Sequence, residues 1–312
     1  MLAPWLWAVF TVIAAFAQTL RNAMQRELTG SLGTVGATHV RFLFGFPFAL
    51  VFLAGVLLAT GLPPPRPGLS FWPWVIAGAL AQVAATALML AAMGERSFVV
   101  TIAYIKTEPI QVAVFGLLVL GDAVTWPMMM AILVATAGVV IMSTNPHLAV
   151  PRKRGREGWG RGGIRPTLWP TFLGLASGGM FALSAVGFRG AILSLGLPNY
   201  VMAATFTLAI GVTMQAVVLS LYLALRSPSV LLAIVRAWKP SLFAGLAGAV
   251  ASQFWFLAFA LATAASVRTL ALVEVLFAQI IARFAFGQQT SAREAVGMVL
   301  VVCGVGLLLW AY

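Results

Sequence analysis

Ten apolar runs recur along this 312-residue chain, each long enough to cross the hydrocarbon core of a bilayer, which takes about 20 helical residues. Backbone N–H and C=O groups find no partners in lipid, so runs of this length must form helices. Only 8% of the residues are charged, against about 25% in soluble domains. The sequence therefore predicts an all-α integral membrane protein with ten transmembrane helices at Pro4–Met24, Val35–Thr60, Phe71–Met93, Phe98–Leu120, Trp126–Met142, Leu168–Phe188, Tyr200–Leu225, Leu242–Ala262, Leu270–Phe286 and Val296–Tyr312.

A sequence repeat divides these runs into two sets of five. The chain around Glu274 matches the chain around Glu108 at a constant offset of 166 residues, with no gap. Because five is odd, the second set must enter the membrane in the opposite orientation, as in many secondary transporters. We expect two inverted five-helix repeats around a central cavity, residues 1–144 and 167–312, joined by a Gly-, Pro- and Arg-rich linker, residues 145–166. The other matched pairs are Ala37 and Ala203, Gly45 and Gly211, Ala92 and Ala258, Gly121 and Gly287, Gly138 and Gly304, and Val139 and Val305.

The net charge of +12 carries topological information. It would suggest nucleic acid as the partner of a soluble protein, but here the basic residues lie mostly in loops. Twelve of them fall on the side of the 145–166 linker and three, Arg66, Arg189 and Arg268, on the opposite side. Basic residues favour the cytoplasmic side in short loops. The linker is therefore expected to be cytoplasmic and both termini outside, with the lipid bilayer and not nucleic acid as the partner.

Charged residues inside the apolar runs are the candidate functional residues. Such residues cost about 3 kcal/mol to insert, so they normally face a cavity or a partner. We take candidates from three runs: His39 and Arg41 lie in the second, Lys106 and Glu108 in the fourth, and Glu274 in the ninth. Lys106 lies about 200° around the helix from Glu108, so each needs a partner on another helix. The polar face of the fourth run, expected to line the cavity, comprises Thr101, Tyr104, Glu108, Gln111 and Phe115.

Two roles are open for the carboxylates. A carboxylate held in low dielectric can exchange a proton near physiological pH, so proton coupling through Glu108 and Glu274 is one hypothesis. The other is a static ion pair, for example Lys106 with Glu274 or Arg41 with Glu108. Pro109 follows Glu108 directly, and because a proline inside a helix loosens the preceding turn, it is a candidate hinge. The fourth run is the more polar, so Glu108 is our first choice for the transport path and Glu274 for a structural counter-charge.

Further polar residues in the membrane could bind an amino-acid-like ligand, although each of them singly more often joins two helices. Trp255 near mid-span either packs between helices or lines a cavity with its N–H on a polar group. Enzyme motifs are absent, and two histidines are too few for an imidazole metal site, so we expect no enzyme, cofactor or metal. These further candidates are Gln82, Gln253 and Trp255, with Gln18, Thr86 and Ser252 beside them.

Short motifs resemble those of the EamA-type branch of the drug/metabolite transporter superfamily. The fourth helix of a repeat in that family reads like EPxxxxLxxxxxLGE, and an Arg-Phe pair often opens the second helix. The resemblance covers essentially the whole chain, but Val275 and Gln288 depart from the motif in the second repeat. The residues that carry it are Arg41 and Phe42, Glu108 and Pro109, Gly121 and Asp122, and Glu274 and Gly287.

The resemblance implies metabolite or drug export through a central cavity, with YddG-like amino-acid exporters as the closest functional analogy. It also implies cytoplasmic termini, opposite to the charge count. We expect a secondary transporter that exports small metabolites, above all amino acids, across the bacterial inner membrane by alternating access, with protons as a candidate coupling ion. The alternatives are a drug or nucleotide-metabolite carrier, a non-transporting membrane scaffold or sensor, and an intramembrane enzyme acting on lipid.

Overall fold

The computed structural model describes residues 5–95, 104–143, 168–277, 279–280 and 291–311, and within these ranges it contains helices and no strand. The 145–166 linker, Thr101, Gly287 and Gln288 lie outside them. The helices are α1 Leu6–Leu43, α2 Phe46–Thr60, α3 Phe71–Glu95, α4 Glu108–Phe115 with a π-helical continuation Gly116–Leu120, α5 Trp126–Ser143, α6 Leu168–Ser194, α7 Tyr200–Arg226, α8 Pro228–Arg236, α9 Trp238–Leu261, α10 Ala264–Leu270 with a 3-10 turn Ala271–Val273, and α11 Ala292–Trp310.

The helices are those of a multi-pass membrane protein. Six helical stretches in the described ranges are long and apolar enough to cross a membrane, and two shorter apolar helices, Glu108–Leu120 and Trp126–Met142, accompany them. One of the six stretches, Leu6–Thr60, holds both of the first two expected spans. The fourth and ninth expected spans run into residues 96–103 and 281–290, outside the described ranges. All-helical membrane architecture is therefore confirmed, whereas the count of ten stays a prediction.

The chain folds back on itself within α1. Gly33 there has a φ of 68°, in the left-handed region that favours glycine. Along a straight helix Arg21 and Arg41 would lie about 30 Å apart. Instead, a Cβ built on Gly248 of α9 would lie 3.2 Å from Cδ of Arg21 and 3.3 Å from Cγ of Arg41. The two arms of α1, before and after Gly33, therefore lie beside each other against α9.

The two arms correspond to the first two expected spans. Gln25 Nε2 in the first arm donates to the carbonyl oxygen of Ala37 in the second at 2.9 Å. The second arm continues past a bend at Phe44 and Gly45 into α2, and Pro47 occupies the first turn of α2, where it removes no helical hydrogen bond.

The most extensive helix packing joins the first half of the chain to the second, in the pairs α1 with α9, α3 with α6, and α5 with α11. Glycines allow the last pair to approach closely. A Cβ on Gly138 would lie 2.6 Å from the carbonyl oxygen of Gly297, and a Cβ on Gly304 would lie 2.9 Å from that of Ala131. The 166-residue offset maps Gly138 onto Gly304 and Ala131 onto Gly297, so the same contact is made twice.

An arginine of α6 ties together the ends of two other helical segments. Arg189 Nε and Nη2 lie 3.1 and 3.3 Å from the carboxylate of Asp122, which follows the π-helical turn. Its Nη1 donates to the carbonyl oxygens of Phe259 and Ala262 at the C-terminal end of α9, at 2.6 and 2.5 Å. A cation at a helix C-terminus is favourable. Arg189, expected among the loop charges, is therefore a structural ion-pair residue.

Candidate functional site

Regular α-helix is interrupted beside both candidate carboxylates. A turn at Lys106 precedes α4, which begins at Glu108. Pro109 lies in the first turn of α4, where its missing N–H removes no helical hydrogen bond. In the second half, the 3-10 turn Ala271–Val273 directly precedes Glu274. Tyr104 and Ile105 are helical, so the turn at Lys106 and Thr107 interrupts the helix just before Glu108 and Pro109. The role of Pro109 as a hinge stays a prediction.

Glu274 is the centre of a buried hydrogen-bond network. Its Oε2 lies 2.5 Å from Lys106 Nζ and accepts a hydrogen bond from Gln18 Nε2 at 3.1 Å. Its Oε1 accepts from Asn22 Nδ2 at 3.4 Å, and Trp255 Nε1 donates to Gln18 Oε1 at 3.1 Å. The ion pair of Lys106 with Glu274, one of the two static pairs that the sequence suggested, is thus present.

Glu108 is paired with Arg268, not with Arg41. Arg268 Nε lies 3.0 Å from Glu108 Oε1, but neither atom has an aligned hydrogen bond, so the contact is a charge contact. The Arg268 guanidinium also lies 4.5 Å from the ring centre of Trp255, a cation–π geometry. Both ion pairs therefore cross between the halves, because in each pair one half supplies the base and the other half supplies the acid.

Two more buried arginines lie beside these pairs. Arg21 is fully buried and donates through Nε and Nη2 to Asn22 Oδ1 at 3.2 and 2.6 Å, while its buried Nη1 has no hydrogen-bond partner. Arg41 is 4% exposed and donates to the hydroxyls of Thr86 and Ser252 at 3.2 and 3.5 Å. Both guanidinium groups are thus bonded to neutral side chains.

Two small neighbouring cavities adjoin all of these groups. Each cavity has a volume of about 10 Å³, counted as the space that the centre of a water-sized sphere can occupy. This is enough for about one water molecule. The expected central cavity is therefore nearly closed in this conformation, and an amino acid would enter only after side chains move. Gln18, Phe181 and Arg268 line both cavities; Arg41, Gln82, Ser252 and Trp255 line the first; Arg21, Asn22, Lys106, Glu108 and Glu274 line the second.

The structure brings some of the predicted site residues together and leaves others apart. Gln82, Arg41 and Trp255 border the first cavity, and Trp255 also directs its N–H at Gln18, which is the second of the two arrangements expected for it. Three others border neither cavity. His39 contacts Ser220 of α7 at 3.0 Å, Gln253 donates to Thr205 of α7 at 2.8 Å, and Tyr104 packs against Gly174 of α6.

Three residues that line the cavities, Arg21, Asn22 and Arg268, were not among the predicted site residues. Arg268 was counted as a loop charge because it falls between the eighth and ninth runs, but it lies in α10 and is 5% exposed. A signal was present in the sequence, because Arg268 is flanked on both sides by small and apolar residues in Ala264–Leu270. A basic residue in such a setting normally has a buried partner. Arg21 lies inside the first expected run and could have been found in the same way.

Comparison with known proteins points to transport. Residues 5–144 match the model of the EamA-like transporter family. This range covers α1 to α5, somewhat less than half of the chain, and the similarity supports a membrane transporter of the drug/metabolite type. No curated protein matches the chain significantly.

The fold recurs in solved structures. One crystal structure, described only as that of a protein, aligns with 98% of this chain and 96% of its own, with a TM-score of 0.69 and 14% sequence identity. At that identity the likeness concerns the fold alone, and it extends over both halves of the chain.

Proposed function

We propose that this chain is a secondary transporter that exports small metabolites, amino acids first among them, across the bacterial inner membrane by alternating access. Two inverted repeats of five spans move against each other around the site, and the 145–166 linker is cytoplasmic. The glycine contact that α5 and α11 make twice, related by the 166-residue offset, supports the repeats. The family match over residues 5–144 supports the transport role.

The observation that carries the proposal is the pair of crossed ion pairs. Lys106 with Glu274 and Arg268 with Glu108 each join the two halves, and all four residues are at most 5% exposed. Charged groups inside a membrane protein usually mark a substrate or ion path, and interrupted helices beside them are typical of transporter sites. Relative movement of the halves must break or exchange these pairs.

The two carboxylates differ in how firmly they are held. Glu274 has three donors, Lys106, Gln18 and Asn22. Glu108 has one ion-pair partner among the described residues, Arg268, without an aligned hydrogen bond. We therefore assign Glu108 to substrate or proton exchange and Glu274 to holding the closed site together.

Efflux from proteoliposomes tests the proposal. The reconstituted chain is loaded with labelled amino acids, and efflux is compared for wild type, Glu108→Gln and Glu274→Gln over a range of pH. We expect Glu108→Gln to slow efflux about tenfold or more, since the amide can neither carry a proton nor form the charged hydrogen bonds that a substrate group would make to Glu108 during transport, which are worth about 1.5–3 kcal/mol. Glu27→Gln, at an exposed position of α1, is the matched control and should transport normally.

Each failure has its own meaning. Normal transport by both site variants at every pH would show that the site is assigned wrongly. A wild-type rate that does not change with pH would remove proton coupling. A wild-type protein that moves no labelled compound would favour a scaffold or sensor.

A further inference from the structure

The buried charges around the two cavities do not balance. Four basic and two acidic residues line the cavities, and the two acids neutralise only two of the four bases, as the ion-pair distances show. Two positive charges are left in the described part of the site, and an uncompensated buried charge is strongly destabilising. The bases are Arg21, Arg41, Lys106 and Arg268, and the acids are Glu108 and Glu274.

The rest of the chain offers few acids that could neutralise this excess. The sequence has seven acidic residues in all. Of the five besides Glu108 and Glu274, the three whose side chains the structure describes do not line either cavity. Glu95 lies on α3, nine residues after Thr86, whose hydroxyl contacts Arg41. Nine helical residues place the backbone of Glu95 about 14 Å from that of Thr86 along the helix axis. The other four are Glu27, which is exposed, Asp122, which pairs with Arg189, Glu294, which caps α11, and Glu157, which is in the linker.

The two unneutralised arginines converge on one point. Their stems both lie within 3.3 Å of the position that a Cβ on Gly248 would occupy. Arg41 lines the first cavity and Arg21 the second, and the buried Nη1 of Arg21 has no hydrogen-bond partner. An unpartnered buried N–H group is unfavourable unless a ligand completes it. The pair therefore offers unfilled donors together with positive charge.

We infer that the transported metabolite is an anion, and that Arg21 and Arg41 bind its carboxylate or phosphate groups. This inference rests on the proposed transport function. Guanidinium groups match the oxygens of carboxylates and phosphates with two parallel N–H bonds, and charge assistance strengthens these bonds. A dicarboxylate supplies one oxyanion for each arginine and two negative charges, which balances the site. An acidic amino acid also supplies one oxyanion for each arginine, and its net charge of −1 offsets half of the excess.

Transport by reconstituted protein tests the charge class. Proteoliposomes are loaded with labelled L-aspartate, succinate or glycerol 3-phosphate, and separately with L-alanine or L-lysine. At least one of the three anions should leave about tenfold faster than alanine and lysine, a difference equivalent to about 1.4 kcal/mol. Arg21→Gln and Arg41→Gln should each remove most of that flux. Arg226→Gln, which removes an exposed positive charge at the end of α7, should keep it.

Thermal stability without substrate gives a second and independent readout. Because Arg41 adds an uncompensated charge to the empty site, purified Arg41→Gln should unfold at the wild-type temperature or above. If Arg41 were only a structural residue, the same variant would unfold at a lower temperature. That second outcome would overturn the inference even if no member of the panel were transported.

The outcomes separate this inference from the function on which it rests. Efflux of alanine or lysine at the rate of the anions, or anion efflux unaffected by both arginine variants, would overturn the anion assignment and leave transport intact. If none of the five compounds moved while Arg41→Gln kept its stability, the charge argument would stand and the transport proposal would fail.

Discussion

The packing of α5 against α11 gives the sharpest prediction for stability. Gly297→Ala would place a Cβ 2.3 Å from Cγ of Met142 and 2.5 Å from the carbonyl oxygen of Gly138. The methionine can turn aside, but the carbonyl belongs to the backbone, so the two helices must separate by about 1 Å to reach the 3.4 Å of ordinary contact. Overpacking of this kind costs about 1–3 kcal/mol.

The same substitution also has a favourable effect, because alanine is better than glycine in a helix by about 1 kcal/mol. Gly306→Ala on the same helix isolates that effect, since its Cβ would meet nothing within 4 Å and the position is exposed. Gly297→Ala should therefore be less stable than Gly306→Ala by about 1–3 kcal/mol, the overpacking cost alone.

The assay is thermal unfolding of the purified chain in detergent, followed by tryptophan fluorescence. In soluble domains of 150–250 residues, 1 kcal/mol shifts the midpoint by about 2–4 °C, so the two variants should differ by at least about 2 °C. Gly306→Ala should unfold at or above the wild-type temperature. Equal midpoints for the two variants would refute the close approach of α5 and α11, and with it the twice-made glycine contact.

Two further predictions concern the ion pairs. Arg189→Gln should lower the unfolding temperature more than Asp122→Asn, because the arginine also holds two carbonyl oxygens at the end of α9; the reverse order would mean that those two contacts contribute nothing. Lys106→Met leaves Glu274 buried without its cation and should lower the free energy of unfolding by about 3–5 kcal/mol. Adding Glu274→Gln to Lys106→Met should restore most of that stability, and a double variant as unstable as the single one would show that the pair is not coupled.

The sequence predicted the membrane helices well because their cause is local. A run of about 20 apolar residues has few alternatives to a helix in lipid. The bounds of α7, Tyr200–Arg226, differ from the expected span by one residue. The first expected span lies in the first arm of α1, and the second covers the second arm together with α2. The polar stretch between the two spans, residues 25–34, contains Gly33, where α1 folds back. Helix α4 begins at Glu108, directly after a turn at Lys106 and Thr107, because proline fits the first turn of a helix and not its interior.

The partners of the charged side chains were less predictable, because they depend on which helices pack together. The pair of Lys106 with Glu274 could be named as one alternative, but Arg268 as the partner of Glu108 could not, since a basic residue beside a span end looks like a topology signal. His39 and Gln253 carry the same polar signal as Gln82, yet of the three only Gln82 borders either of the two cavities at the site. Which face of a helix a polar residue occupies is fixed by the packing of its neighbours, and the residue type alone does not reveal it.

The fold-back at Gly33 has a mechanical consequence. Arg21 lies twelve residues before it and Arg41 eight residues after it, so the hairpin holds its two cations at the ends of levers about 18 and 12 Å long. Turning one arm by about 10° about this glycine would move Arg21 by about 3 Å, roughly the length of one hydrogen bond. The distance between the two guanidinium groups, and so the fit of a ligand between them, is therefore set by the backbone angle at Gly33.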